Sequence, residues 1–168
     1  MLELRLFNDL EHPLQFAAAN VLAGSGGDAV HALEYLMHAN KVPVTGVDSG
    51  KLVAVYGLPY FMREGNILTN SDFGLMATEP QGMGVGTSML GLVKRVFEAT
   101  ANDAQAVLVH RAARDSSLLL RCGYKEDGTF HDNVKVCSLR YAPKQHSLTE
   151  YEKRIVAKLL HSVQVPAF

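Results

Sequence analysis

The sequence predicts a mixed α/β domain, and three observations carry that prediction. The chain opens on a strand-like alternation from Leu2 to Leu6. Segments with helical and strand periodicity then follow one another without an internal repeat, and a glycine-rich segment from Gln81 to Thr87 joins a predicted strand to a predicted helix. With 168 residues, 48% of them hydrophobic, the chain can form one domain with a sizeable core.

The first elements are a strand and two helices. Leu2, Leu4 and Leu6 alternate with charged residues, which is typical of a half-buried strand. Helical spacing begins near Asp9 and ends at the glycines of residues 24–27. A second helix is predicted over Ala29 to Ala39, because Asp28 is a good N-cap and four residues form one apolar face: Val30, Leu33, Leu36 and Met37.

The middle of the chain predicts a sheet. Three strands separated by turn residues suit an antiparallel meander: Val42 to Val47, Leu52 to Met62, and Asn66 to Ala77. Four further elements follow the glycine-rich segment: a helix from Thr87 to Thr100, a strand from Ala104 to Val109, a helix from Arg114 to Arg121, and a last strand from Val134 to Tyr141.

The last residues predict a helical extension. Pro143 ends the main domain, so we divide the chain into residues 1–143 and 144–168. Ser147 to Glu150 is predicted to form a capping box for a final helix, whose apolar stripe is Leu148, Tyr151, Ile155, Leu159 and Val163. That stripe suits either packing on the same domain or pairing with a second subunit in a homodimer.

The overall composition argues against several functions. With 16 basic and 17 acidic residues the net charge is -1, which gives no electrostatic footprint of a nucleic-acid binder. No apolar run approaches the roughly 18 residues of a membrane span, and no signal-peptide layout opens the chain, so we expect a cytoplasmic protein without a membrane partner. Cys122 and Cys137 lack metal-ligand spacing, and no metal site is predicted.

The segment from Gln81 to Thr87 carries the strongest chemical signal. Because it lies between a strand and a helix, its backbone N–H groups can converge on an anion at the positive end of the helix dipole, and its glycines allow close approach. A Walker A loop would need a lysine after Gly86, and the glycine spacing differs from the Rossmann fingerprint. The alternatives left open are a phosphate cradle and a simple tight turn.

In this context the segment resembles the Gln/Arg-x-x-Gly-x-Gly/Ala signature of the GNAT acyltransferases, matched by Gln81, Gly84 and Gly86. The preceding residues 77–80 are similar to the strand end of that family, and residues 119–128 are similar to its closing helix-to-strand turn. The order of elements also matches. The resemblance covers about Met1 to Tyr141.

The resemblance implies an N-acyltransferase that moves an acetyl group from acetyl-CoA, or an acyl group from another acyl-CoA, directly to a primary amine of a small-molecule or protein acceptor. It places the cofactor between two splayed parallel strands, at the ends of Asn66 to Ala77 and Ala104 to Val109. The pyrophosphate is expected on the amides of Met83 to Thr87 and the pantetheine arm on the backbone around Met76 to Thr78. The implied cofactor-binding residues are Met76, Ala77, Thr78, Gln81, Gly82, Met83, Gly84, Val85, Gly86 and Thr87.

The sequence gives weaker signals for the catalytic groups than for the cofactor-binding segment. The family commonly has a tyrosine as proton donor four residues before the closing-turn glycine, and this chain has Leu119 there. His110, which follows an apolar strand, and Ser116 are alternative acids, with Ser117 beside the latter. Asp72, a carboxylate in an otherwise apolar strand, is the candidate base. The departure at Leu119 also allows a catalytically silent module that keeps the fold.

Overall fold

The computed structural model describes residues 1–24, 26–37, 41–59, 61–64, 67–70, 75–80, 82–101, 105–112, 117–129, 135–141 and 143–161. These ranges contain nine strands: β1 Leu2–Leu6, β2 Lys41–Asp48, β3 Lys51–Pro59, β4 Phe61–Glu64, β5 Ile67–Asn70, β6 Leu75–Thr78, β7 Gln105–Ala112, β8 Lys125–Thr129 and β9 Lys135–Tyr141. They also contain five α-helices: α1 His12–Ala23, α2 Ala29–Leu36, α3 Val85–Ala101, α4 Ser117–Arg121 and α5 Glu150–His161. A single 3₁₀ turn, Phe7–Asp9, precedes α1.

The strands form two sheets. The first has the order β1-β2-β3-β6 with antiparallel neighbours throughout, and the second has the order β4-β5-β7-β9-β8. In the second sheet only β5 and β7 run parallel. This arrangement confirms the predicted mixed α/β class.

Two predicted strands are each shared between the sheets. The segment predicted as Leu52 to Met62 forms β3 in the first sheet and β4 in the second. The segment predicted as Asn66 to Ala77 likewise forms β5 in the second sheet and β6 in the first. Sequence periodicity reports that a segment is extended, but it does not report which neighbour the segment pairs with. The change of partner is therefore information that only the fold supplies.

Strand β8 was missed. Its sequence, Lys-Glu-Asp-Gly-Thr, is polar and contains residues with low β-propensity, so no strand pattern is visible. The strand pairs with β9 through a register shift between Glu126 and Gly128. Helix α3 begins at Val85, two residues before its predicted start.

The predicted capping box of the last helix was placed two residues too early. Thr149 is the N-cap: its hydroxyl accepts a hydrogen bond of 3.1 Å from the Glu152 amide, and Glu152 Oε1 accepts one of 3.1 Å from the Thr149 amide. Both Ser147 and Thr149 are followed three residues later by a glutamate, so the motif alone cannot choose between them. In the observed register Ile155 and Leu159 are buried.

The core has two clusters. On the face covered by α3 and α5, Ala54 and Tyr56 of β3 pack with Met89 and Phe97 of α3, and we call this the inner cluster. On the face covered by α1 and α2, residues such as Val55 pack with Ala18 and Leu36; we call this the outer cluster. The predicted apolar face of α2 was partly wrong, because Val30 and Met37 are 64% and 68% exposed.

Helix α5 packs against α3 and β1 of its own domain. Ile155 and Leu159 belong to the inner cluster, and Arg154 binds Asp9 through two hydrogen bonds of 2.8 and 2.7 Å. The division of the chain at residue 143 stays a prediction. In the part of the chain that the structure describes, no helix has both the length and the apolar character needed to cross a bilayer.

Candidate functional site

The glycine-rich loop leads directly into α3. Gly82, Met83 and Gly84 are exposed, and the first α-helical hydrogen bond runs from the Ser88 amide to the Gly84 carbonyl at 3.1 Å. The amides of the first helical turn, Val85 to Thr87, have no acceptor within an α-helix. They lie at the positive end of the 17-residue α3, which is the geometry that binds an anion.

The glycines of this loop are needed for two different reasons. Gly82 and Gly84 have φ angles of +76° and +77°, in the left-handed region that disfavours other residues. Gly86 is needed for space, because a Cβ there would lie 3.0 Å from Leu118 Cδ2 of α4. The same Cβ would lie 3.7 Å from Met76 Cε and 3.9 Å from Thr78 Cγ2, so β6, α3 and α4 meet at this point.

Strand β6 precedes the glycine-rich loop and forms an edge of the first sheet. It is the terminal strand of the first sheet as far as the described residues extend, and it pairs with β3 on one side from Leu75 opposite Gly57 to Thr78 opposite Ala54. Met76 and Thr78 point toward Gly86, so the alternation of a strand places Ala77 on the opposite face, toward α1. The outer edge of β6 can therefore pair with an extended amide-containing chain.

A cleft of about 550 Å³ lies between the end of α1 and the end of β6. Its lining combines the last turn of α1 with the last residues of the strand and is given by Asn20, Val21, Leu22, Gly24, Ala77, Thr78 and Glu79. The cleft adjoins the loop along the chain, because Glu79 and Pro80 connect β6 to it. A volume of this size is in the range of small-molecule sites.

The second strand on which the expected cofactor position depends is β7, in the second sheet. Strand β7 pairs with β5 from Gln105 to Val107, and beyond Val107 it continues to Ala112 with β9 as its partner. Strand β6 belongs to the other sheet. The resemblance expects the cofactor between the ends of these two strands, β6 and β7.

Several solved structures that are similar to this chain are acetyltransferases. Campylobacter jejuni N-acetyltransferase PseH in complex with acetyl coenzyme A is 9% identical, with a TM-score of 0.59 over 84% of this chain and 100% of the other. The fold is that of the GNAT acetyltransferases. The ribosomal-protein-S18-alanine N-acetyltransferase of Escherichia coli is 16% identical, with a TM-score of 0.53 over 89% and 99% of the two chains. The GNAT domain of S. lividans PAT is 13% identical, with a TM-score of 0.53 over 83% and 89%.

At these identities the likeness establishes the GNAT fold alone. No protein-family model matches the sequence, and no curated protein matches it. The activity and the roles of individual residues therefore rest on the site itself.

The structure does not describe every predicted site residue. Asp72, Ser116 and Gln81 lie outside the described residues. The backbone of His110 lies in β7, opposite Cys137 of β9. The structure brings together Met76, Thr78 and Gly86, and it places Ala77 at the cleft.

Leu119, at the position where the GNAT family commonly has its tyrosine, is buried in the inner cluster. The carbonyl of Leu119 accepts a hydrogen bond from the Tyr124 amide at 3.0 Å, which ends α4. Ser117 begins that helix and is exposed. The residue that replaces the tyrosine is thus a packing residue of the described core.

Three tyrosines, Tyr35, Tyr56 and Tyr124, pack in or against the described core clusters. Burial raises the pKa of Tyr56 well above its usual range, and the neighbouring phenols of Tyr124 and Tyr35 add to the rise. Burial also raises the pKa of Tyr124. Tyr35 lies within the predicted second helix but outside its predicted apolar face, and no motif marked it. The one available signal was Gly57, because a glycine inside a strand often marks a close approach by another group.

Proposed function

We propose that this chain is an N-acetyltransferase that uses acetyl-CoA, or another acyl-CoA, and transfers the acyl group directly to a primary amine. The observation that carries the proposal is the convergence of an open strand edge, β6, with the glycine loop at the N-terminus of α3 inside a GNAT fold. The acceptor is a small-molecule or protein amine. We further propose a cytoplasmic protein whose site lies within residues 1–143.

The glycine-rich loop and strand β6 would bind different parts of the cofactor. The amides of Met83 to Thr87 would receive the pyrophosphate, since the first turn of α3 offers N–H groups without intrahelical acceptors. Gln81 and Gly82 complete this loop. The backbone of Met76, Ala77 and Thr78 would pair with the amides of the pantetheine arm along the outer edge of β6.

The chemistry requires three things of the protein: a neutral amine, stabilisation of the tetrahedral oxyanion, and a proton for the leaving thiolate. Asp72 is the proposed base for the amine. His110 or Ser116 is the acid suggested by the sequence alone. Positioning by the edge strand and by backbone donors supplies the remainder of the rate enhancement.

Isothermal titration of acetyl-CoA tests the cofactor claim. Thr87 is exposed in the first turn of α3, where an acidic side chain is compatible with the helix dipole and the fold. Thr87→Glu places a carboxylate beside the proposed pyrophosphate, so we expect the acetyl-CoA Kd to rise at least about tenfold, equivalent to about 1.4 kcal/mol.

The matched control is Gly91→Glu. Gly91 is an exposed residue of the same helix about one turn further on, and a Cβ there meets no atom within 4 Å. The control adds the same charge about 6 Å further along the axis from the proposed pyrophosphate, so the rise in Kd should be clearly smaller than for Thr87→Glu, about threefold or less. Absence of binding to the parent protein at millimolar acetyl-CoA, or equal Kd values for Thr87→Glu and Gly91→Glu, contradicts the proposal.

A second candidate function is a catalytically silent module with the same fold. The buried Leu119 favours it, because the position of the family's proton donor is occupied by a core residue. The two functions differ in turnover. Release of CoA thiol from acetyl-CoA in the presence of a panel of primary amines identifies the enzyme, whereas acetyl-CoA binding without release identifies the silent module.

A further inference from the structure

The cleft between α1 and β6 has a lining whose chemistry differs from that of the glycine-rich loop. Val21, Leu22 and Ala77 give it an apolar part, and Asn20 lies exposed at its rim. Among the described lining residues the only ionisable side chain is the carboxylate of Glu79, and none of them is a lysine or an arginine. The cleft therefore repels a phosphate and suits an uncharged group that carries methyl and hydroxyl substituents.

Two glycines keep this cleft open because they end α1 beside the strand. Gly24 has a φ of +70°, and its amide donates to the Asn20 carbonyl at 3.0 Å, which closes the helix. A Cβ on Gly27 would collide with the Ala23 carbonyl, so the chain can turn toward α2 here only because this residue is a glycine. The apolar side chains in the last turn of α1 pack against the outer cluster. The cleft thus has one wall fixed on α1 and one on β6.

The cleft lies beside the path that we propose for the cofactor. Ala77 and Thr78 line the cleft, and their backbone is also the part of β6 that would pair with the pantetheine arm. An arm on the outer edge of β6 lies one strand spacing away, about 5 Å. Like the side chains of a strand, the substituents of the arm would stand on both faces of the sheet. Those on the face of Ala77 would point toward the last turn of α1.

The order of chemical groups in acyl-CoA matches the order of features along the chain. The pantoyl unit carries two methyl groups and a hydroxyl and is bonded directly to the pyrophosphate. Glu79 and Pro80 connect the cleft to the glycine-rich loop, so the cleft lies at the end of β6 nearest the proposed pyrophosphate. The two amides that follow the pantoyl unit span about as much chain as three strand residues, about 10 Å. The thioester and the acceptor amine would therefore lie beyond the cleft.

We propose that the cleft between α1 and β6 is the subsite for the pantoyl unit of the acyl-CoA. The two pantoyl methyl groups contact the side chains of Val21, Leu22 and Ala77, and the pantoyl hydroxyl hydrogen-bonds to the side-chain amide of Asn20. The carboxylate of Glu79 keeps the phosphates on the glycine-rich loop by repulsion. This inference rests on the proposed acetyltransferase function, and it adds α1 to the elements that bind the cofactor.

The direct test is NMR spectroscopy of the full chain with acetyl-CoA, with labelled methyl groups on alanine, leucine and valine. We expect intermolecular nuclear Overhauser effects between the two pantoyl methyl groups and the methyl groups of Val21, Leu22 and Ala77. Their absence in a complex that does form overturns the inference alone. Failure of acetyl-CoA to bind at millimolar concentration contradicts the proposed function as well.

Ala77→Ile fills the cleft from the strand side while it keeps the backbone of β6 and suits a strand. We expect the acetyl-CoA Kd to rise at least about tenfold, because overpacking a fitted subsite is costly. ADP carries a pyrophosphate without a pantoyl unit, so its Kd should stay within about twofold of the parent value. Equal rises for the two ligands would show a general disturbance of the site and overturn the inference.

Asn20→Ala removes the proposed hydrogen bond to the pantoyl hydroxyl. We expect the acetyl-CoA Kd to rise about three- to tenfold, which corresponds to the loss of one hydrogen bond. The matched control is Asn8→Ala, because Asn8 is also exposed and lies before the opposite end of α1. Its Kd should stay within about twofold of the parent value. Equal Kd values for the two variants contradict the assignment of Asn20.

Glu79→Gln distinguishes the pantoyl unit from a cationic acceptor as the occupant of the cleft. Removing this carboxylate should lower the acetyl-CoA Kd about twofold, since a negative charge near the pyrophosphate is lost. If the cleft held a cationic amine instead, the KM for that amine would rise while the acetyl-CoA Kd stayed the same. That result would overturn the inference.

Discussion

The two ends of α3 are built in opposite ways. The N-terminal end is made of backbone: Gly82 and Gly84 shape an exposed loop, and the amides that follow are open to a ligand. The C-terminal half is held by side chains, since Val93, Val96 and Phe97 are buried in the inner cluster. One helix thus combines a surface for binding with an anchor in the core.

The anchor is reinforced by residues 143–149, which we call the connector. The Lys144 amide donates to the Glu98 carbonyl at 3.1 Å, and Arg95 Nη2 donates to the Ser147 carbonyl at 2.7 Å. His146 Nε2 lies 3.6 Å from Glu98 Oε1. These contacts are remote from the loop, so substitutions that change stability should differ from those that change cofactor binding. A substitution that strongly changes both would contradict the independence of the two ends of α3.

Phe97→Ala should have the largest effect, and it should act on stability. Phe97 is fully buried, so its removal should lower the free energy of unfolding by about 3 to 5 kcal/mol. Urea denaturation measures this change. In the folded protein the acetyl-CoA Kd should stay within about threefold of the parent. A large rise in Kd with little loss of stability would show that the two ends of α3 are not independent.

Glu152→Ala should have an intermediate effect on the anchor. Glu152 is buried, closes the capping box with Thr149, and lies 3.9 Å from Arg95 Nη2. Removing its carboxylate leaves the Thr149 amide and Arg95 without that partner, so we expect a loss of about 1 to 3 kcal/mol in denaturation experiments.

The control for Glu152 is Glu150→Ala in the same turn. Glu150 is exposed and pairs with the exposed Lys153 at 2.9 Å. Exposed pairs of this kind contribute about 0.5 kcal/mol or less. Equal losses for the two variants would mean that the capping box and the contact with Arg95 do not anchor α5.

The sequence predicted the glycine-rich loop before α3 and the helix that follows, with a start two residues late, but it did not predict what packs around them. The loop could be predicted because its signal is local: the glycines and the following helix are adjacent in the chain. Gly82 and Gly84 do have the positive φ that the pattern suggests. The second role of glycine, the close approach of Leu118 to Gly86, depends on α4 and had no local signal.

The periodicity of the sequence could not predict which strands pair with one another. Both long predicted strands contribute to both sheets along their length, and among the described residues β6 is the terminal strand of the first sheet. The capping box of α5 was misplaced for a related reason, because Ser147 and Thr149 are both followed three residues later by a glutamate, and the sequence does not show that Glu152 is the buried one. The close contact of Tyr35 with Gly57 could not be predicted either, because it joins residues 22 positions apart in the chain.

The smallest predicted effects are those of replacing Gly84 or Gly91 with alanine. A Cβ meets no atom within 4 Å at either Gly84 or Gly91, so the difference between them is conformational. Gly91 lies inside α3, and Gly91→Ala should stabilise by about 0.5 to 1 kcal/mol. Gly84 has a φ of +77°, and Gly84→Ala should destabilise by about 1 kcal/mol. The thermal midpoints should move about 2 to 4 °C in opposite directions, and shifts of the same sign would contradict the left-handed conformation of Gly84.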